Sequence, residues 1–296
     1  ARAGYTVALL DQKTFPRDKV CGDFVGPAAV AELKGLGVTN RPEFRQANEI
    51  HRAALYLDGE ELITREFPRA DGLPDYGRVI PRFGLDHWIV QAAVGAGSEL
   101  IEDHRVTGYE THGTLVHVRA RTATGPRVLT ARLLIGADGA NSVIARQVTG
   151  HRRNDTHRMI AVRAYYEGVD QIPDRAELFF TEGSFPGYAW LFPTGADTAN
   201  AGVGLALGTV QEKQNRPRDL LVELVKRNPI LQQRLGRSRR ISKIVGWPLA
   251  TYEPGLPLFD HRVMLVGDAA SLINPLNGEG IQTALCSGRW ASEVAI

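Results

Sequence analysis

The stretch V-M-L-V-G-D-A-A-S-L-I-N-P-L-N-G-E-G-I-Q-T-A-L (263–285) decides the fold. An apolar run from Val263 to Val266 delivers a Gly-Asp pair, a loop containing Pro275 follows, and Gly278 and Gly280 open a helical pattern. A strand that hands an acid to a glycine-rich turn and a helix start builds a place for negative charge. The first-turn N–H groups have no acceptor inside the helix, and they sit at the positive end of its dipole. A second stretch, L-I-G-A-D-G-A-N-S-V-I-A-R (134–146), repeats the order of strand, glycine-flanked Asp138, polar turn and helix start. An ordinary turn with an Asn or Ser cap accounts for either one alone. Two in this order are hard to assign to packing only.

Working outward, Tyr5 to Leu10 (Y-T-V-A-L-L) reads as a buried parallel strand ending in Asp11. In a dinucleotide fold, an acid at such a strand end accepts hydrogen bonds from ribose hydroxyls. The glycine fingerprint G-x-G-x-x-G that belongs before it is missing. Gly95-Ala96-Gly97 does not replace it, because that run follows a helix and precedes a strand, as a helix C-cap does. Helices are predicted over 27–37 and 85–95, a hairpin over 50–67 around Asp58-Gly59, and strands at 100–106, 114–121 and 127–135. From 159 to 210 the period becomes two, with strands at 159–167, 176–181, 187–193 and 199–207. A helix over 218–234, interrupted at Pro229, leads to the 263–266 strand and a last helix from Gly280 to Ile296. Parallel-type strands at both ends enclosing an antiparallel block predict the α/β class, a nucleotide domain split by an inserted sheet domain. The opening A-R-A-G resembles a helix end and the final helix stops uncapped, so both termini read as cut and the chain as a fragment.

Composition narrows the function classes. The chain has 296 residues, 43% of them hydrophobic, a net charge of +2 and two cysteines. Disorder, collagen and a disulfide-stapled secreted fold are excluded. The charge gives no reason to expect nucleic acid, and the basic run Arg234 to Arg240 reads as a solvated helix end and loop. No apolar run reaches the roughly 18 residues of a spanning helix. Cys21 and Cys286 lie far apart, so a reducing, cytoplasmic setting is the expectation. The histidines show no metal-ligand spacing, and Ser184 in G-S-F-P-G is off the centre a nucleophile elbow requires.

The two Asp-bearing stretches resemble the second and third FAD motifs of the flavoprotein monooxygenase-like fold. P-R-D-K-V-C-G-D (16–23) and Y-A-W-L-F-P (188–193) followed by G-V-G (202–204) resemble, more specifically, the geranylgeranyl reductase family of FAD-dependent oxidoreductases, over nearly the whole chain. The resemblance implies a split Rossmann-like FAD-binding domain formed by 1–47, 78–150 and 258–296, its first glycine motif absent. It places an inserted antiparallel β-sheet substrate domain at 48–77 and 151–257.

Position by position, the resemblance makes Asp11 the ribose-binding acid and sets Cys21, Gly22 and the Phe24 backbone against the flavin, although the family often has a small residue where Phe24 stands. Arg82 matches an arginine approaching the cofactor; the plainer alternative is an i, i+4 pair with Asp86. Val106 falls where backbone groups bracket adenine. Asp268 reaches the ribityl or pyrophosphate region, the Gly280 and Ile281 amides face the flavin ring, and Asp138 and Gly139 support the pyrophosphate side or the approach of NAD(P)H.

Tyr188, Trp190 and Phe192 alternate along one strand and share a face. On the residues alone, three rings filling a core is the simpler account. The resemblance makes that face the lining of an apolar substrate cavity, with Gly202 and Gly204 keeping the neighbouring strand thin. Cys21 is the candidate catalytic thiol, set against the alternative of a small buried hydrophobe. The implied activity is reduction of isolated C=C bonds in a prenyl chain on a lipid or quinone, with FAD as cofactor and NAD(P)H or a reduced carrier as donor. Peripheral membrane contact would follow from such a substrate. The alternatives are a flavin monooxygenase or halogenase, whose W-x-W-x-I-P signature is not present in 1–296, and an electron-transfer flavoprotein to quinone, for whose four-iron cluster two cysteines are too few.

Overall fold

The computed structural model describes residues 1–150, 157–182, 184–208, 210 and 216–295. The expected domain start at residue 151 and the helix end at Ile296 lie outside the described residues. The protein is a mixed α/β chain in two compact units. One comprises Ala1–Arg17, Phe83–His157 and Ala250–Ile296, the other Asp18–Arg82 and Arg158–Leu249. Residues 18–47 and 78–82 fall in the second of these units.

In the first unit, Ala8–Leu10 pairs in parallel with Glu99–Ile101. Leu134–Gly136 pairs in parallel with Val263–Leu265, whose other edge takes Phe259–Asp260. These pairs belong to separate sheets among the described residues rather than to one continuous parallel sheet. The opening strand is correspondingly less buried than its apolar sequence predicts. It forms only over Ala8–Leu10, with one strand neighbour, and Tyr5 and Val7 ahead of it are 45% and 36% exposed. A meander of Arg105–His112, Leu115–Thr122 and Gly125–Ala131 packs on the helix Val143–Thr149. Tyr109, Val116, Val118, Ile144, Val263 and Leu265 fuse these elements into one apolar cluster.

The second unit is built on a large sheet with strand order Arg239–Arg240, Arg158–Glu167, Thr198–Ala206, Gly187–Pro193, Arg175–Phe180, Arg52–Leu57 and Glu60–Glu66; Val245–Ala250 also pairs with Arg158–Glu167. Neighbours along this order are antiparallel except for Arg175–Phe180 with Arg52–Leu57, which run parallel. The Asp58-Gly59 hairpin forms as its D-G pair requires, with φ of 48° and 93°. Glycine at 59 also serves the packing: a Cβ there would lie 2.7 Å from Pro229 Cγ.

Alternation along the strands gives the sheet two faces. One carries Val162, Ala164, Leu191 and Val203 and is sealed by Leu220, Leu221, Leu224, Leu231 and Leu235 of the helices Pro217–Arg227 and Pro229–Leu235. The predicted break at Pro229 is a cap, with Asn228 Oδ1 accepting the N–H groups of Ile230 and Leu231 at 3.1 Å. The other face carries Ala161, Trp190 and Phe192, packed with Phe24, Phe67 and Tyr188.

Candidate functional site

On this second face the aromatic side chains form a continuous row. Centroid separations are 5.8 Å from Phe180 to Tyr188, 6.3 Å from Tyr188 to Trp190 and 6.2 Å from Trp190 to Phe192. The row continues off the sheet, 5.5 Å from Phe192 to Phe24 and 5.9 Å from Phe24 to Phe67. Spacings in this range suit offset or tilted rings. Gly202 is the reason the indole lies flat on the neighbouring strand. A Cβ at 202 would sit 2.2 Å from Trp190 Cζ2 and 2.4 Å from the Val162 carbonyl. The thinness expected at Gly202 is thus taken up by Trp190. At Gly204 the nearest atoms stand 3.9 Å away.

Against this row rests the turn Cys21-Gly22-Asp23. A side chain at Gly22 would meet Phe192 at 3.1 Å and Trp190 Nε1 at 3.3 Å, so glycine lets the backbone touch the rings. Asn200, fully buried on the Thr198–Ala206 strand, holds the turn down. Its Nδ2 donates to the Cys21 carbonyl and to Asp23 Oδ2, both at 2.8 Å, and its Oδ1 accepts from Trp190 Nε1 at 3.0 Å. Tyr165 donates its hydroxyl to the same Asp23 oxygen at 2.5 Å, and the Arg82 N–H reaches Asp23 Oδ1 at 3.3 Å. Beside them Arg163, buried under Tyr165, pairs with Asp18 at 2.5 Å.

Asp23 is 0% exposed. Burial pushes its carboxyl up to about 6, against the opposing pull of Tyr165, Asn200, Arg163 and Arg82. Burial likewise raises the Cys21 thiol; Arg82 opposes this, while the Asp23 charge adds to it. The residues Cys21, Gly22, Phe24, Arg82, Trp190 and Phe192, named from sequence, are therefore brought together, with Tyr188 further along the row. Asp23, Asn200, Tyr165 and Arg163 were missed. The available signal was polar residues at the Ala161 and Trp190 parity of otherwise apolar strands.

In the first unit, Asp11 Oδ2 accepts from Arg17 at 2.9 and 3.1 Å, and its Oδ1 caps the Lys13 N–H at 2.9 Å. Arg17 also reaches Asp86 at 3.0 Å. Asp138 accepts from Ser142 and from the Val143 N–H at 2.8 Å, which fastens it to its own helix start. Gly139 follows at φ 80° with open space where a side chain would stand. Val106 packs at the edge of the apolar cluster.

Gly267-Asp268 opens a tight turn against the helix Ile281–Ala295, tied by Gly267 N–H to Ser287 Oγ at 3.0 Å. At that helix start Glu279 takes the Gln282 N–H at 2.6 Å, and a Cβ on Gly280 would lie 3.5 Å from Asp268 Oδ1. The N–H groups of Gly280 and Ile281 have no acceptor among the described residues. Two open donors at the positive end of a 15-residue helix, beside Asp268, fit the electron-rich carbonyl edge of a flavin. The site residues thus fit FAD.

Comparison with known proteins agrees. The FAD binding domain family matches residues 1–287. The menaquinone reductase of Mycobacterium tuberculosis is 34% identical over 307 residues, covering 99% of this chain and 71% of that protein. A digeranylgeranylglycerophospholipid reductase of Methanopyrus kandleri is 31% identical, covering 100% and 72%. Among solved structures, a geranylgeranyl bacteriochlorophyll reductase-like protein from Thermoplasma acidophilum superposes with a TM-score of 0.83 at 23% identity, covering 99% of this chain and 72% of that one. A flavin-dependent halogenase reaches 0.81 at 19%, covering 98% and 54%, a likeness of fold alone. The chain belongs to the geranylgeranyl reductase family of FAD-dependent oxidoreductases.

Proposed function

We propose that this protein reduces isolated C=C bonds in a prenyl chain carried by a quinone or a lipid. The observation that carries this reading is the row of rings from Tyr188 to Phe67 running past the Cys21-Gly22 turn. An isolated alkene offers no carbonyl to polarise, so orientation and exclusion of water must supply much of the rate. The chemistry that FAD supplies when bound is hydride transfer to one alkene carbon, the other carbon taking a proton.

The chain's own residues do the rest. Trp190, fixed by Asn200, and Phe192 present a rigid apolar surface. Burial holds Cys21 as a thiol at neutral pH, with a proton on Sγ at the end of the ring row. Asp11, Val106, Asp138, Gly139, Asp268, Gly280 and Ile281 bind FAD in this reading, Arg82 approaches it, and Gly204 borders the substrate.

The finer architecture belongs to the same proposal: a split Rossmann-like domain from 1–47, 78–150 and 258–296 around a substrate domain from 48–77 and 151–257. NAD(P)H or a reduced carrier is the proposed donor. No helix among the described residues is long and apolar enough to cross a membrane. The proposed setting is cytoplasmic, with peripheral contact at the membrane that holds the substrate.

The test is product mass after the full-length protein, FAD and a reductant are incubated with menaquinone or with a geranylgeranyl phospholipid, with and without air. Gain of a hydrogen pair per double bond, persisting without oxygen, is expected, and the two lipids distinguish the head group. Gain of oxygen or halogen, in air only, overturns the reading in favour of the monooxygenase or halogenase alternative.

A further inference from the structure

We propose that Asp23 is a positioning residue for Cys21: through Asn200 and Tyr165 it clamps the Cys21-Gly22 turn onto Trp190 and Phe192 and holds a carboxylate beside the thiol. The argument starts from connectivity. Asp23 Oδ2 is shared by the Tyr165 hydroxyl and Asn200 Nδ2, and the same Asn200 amide grips the Cys21 carbonyl and the Trp190 indole. One carboxylate therefore fastens the 18–23 loop to two paired strands, Arg158–Glu167 and Thr198–Ala206, on which Tyr165 and Asn200 stand opposite one another.

A buried acid is an expensive way to secure a loop. A neutral amide offering the same acceptor would do it at lower cost. The carboxylate adds a negative charge next to Cys21, and charge is what a thiol responds to.

The charged and titratable groups facing this pair are Lys19 and Arg82 around Cys21, and Tyr165, Arg163 and Arg82 around Asp23, with Asp18 behind Arg163. Arg82 and Lys19 favour thiolate at Cys21, and the Asp23 carboxylate opposes them. Burial is the main reason Cys21 stays protonated, and above its own titration at about 6 the Asp23 carboxylate adds to it against Arg82 and Lys19. The placement of Cys21 stands on this unit's geometry alone; its consequence for turnover rests on the proposed prenyl reduction.

The experiment uses the full-length FAD-loaded protein, with iodoacetamide as probe and the modified Cys21 peptide read by mass spectrometry across a pH series. Thiolate is the reacting form. Asp23→Asn is expected to move the alkylation profile to lower pH and to speed modification about threefold to tenfold near neutral pH. Asn200→Ala is expected to speed it by about threefold through exposure, with the step that follows Asp23 displaced to higher pH because a donor to the carboxylate is lost. Asp23→Glu, which keeps the charge, restores the wild-type profile.

A folded Asp23→Asn protein whose profile superimposes on wild type overturns the proposal. Should that variant not fold, an unchanged Cys21 rate in Asn200→Ala overturns the clamp. On the prenyl substrate, Asp23→Asn is expected to lower kcat about tenfold with KM little changed. Alkylation shifts as expected in a protein that reduces no prenyl chain would sink the proposed function and leave the positioning of Cys21 standing.

Discussion

The large sheet buries a carboxylate against each of its faces, and the two are held in opposite ways. On the helix-covered face, Glu177 lies 0% exposed with the Arg175 and Arg234 guanidinium groups each at 3.3 Å and the Tyr56 hydroxyl at 3.0 Å. On the aromatic face, Asp23 receives a tyrosine hydroxyl, an amide and a backbone N–H, all neutral, while its arginines act from further off. A charge paired at contact is structural cement. A charge held by neutral donors keeps a proton within reach of ordinary pH.

The comparison can be broken most severely at Glu177. Glu177→Ala removes the acceptor shared by Arg175 and Arg234, leaving Arg175 to Glu61 and Tyr56 and Arg234 to the Gln171 carbonyl, and urea unfolding is expected to register a loss of about 3 kcal/mol. The next effect is at the seam between rings and strand. Gly202→Ala puts a methyl inside the Trp190 ring and against the Val162 carbonyl, so a loss of about 2–3 kcal/mol and a shift of tryptophan emission are expected.

Asp23 sharpens the contrast through pH. Its folded value, about 6, exceeds the ordinary 3.8, so the folded state binds the extra proton between them. Stability from this group is full below about pH 4 and is lost as pH rises through 6. Asp23→Asn should flatten that fall, with melts above pH 6 up to about 3 kcal/mol more favourable relative to wild type than melts near pH 4. The smallest effect is expected of Tyr165→Phe, about 1 kcal/mol, with the Asp23 window displaced to higher pH because a donor to the carboxylate is lost.

Local chemistry was legible in the residue order and long-range chemistry was not. The 58–59 turn, the period-two strands and the Pro229 break all follow from neighbours in sequence, and each sits where its pattern put it. Cys21, Gly22 and the alternating rings were also readable, the former through resemblance. Asn200 and Asp23 are separated by 177 residues, and Tyr165 and Asp23 by 142. No window spans such distances, and a lone Asn among alanines in A-N-A-G looks like a solvent-facing residue until the rings are known to cover it. The opening strand erred the other way. Y-T-V-A-L-L carries the composition of a buried strand, but burial is set by how many neighbours a strand finds, and here it finds one among the described residues.

The order in which the two units recur along the chain also bears on how the protein is made. The sheet unit is complete once Leu249 has been synthesised, whereas the other unit still awaits Ala250 onward. Its strand Leu134–Gly136 must wait for Val263–Leu265, roughly 130 residues later, to gain its parallel partner. Vectorial synthesis thus favours the contacts of Asn200 with Cys21 and Asp23 forming early on the ribosome, before the turn at Asp268 and Gly280 has been made. A nascent chain would own a finished aromatic face well before the parallel pair of the other unit could close.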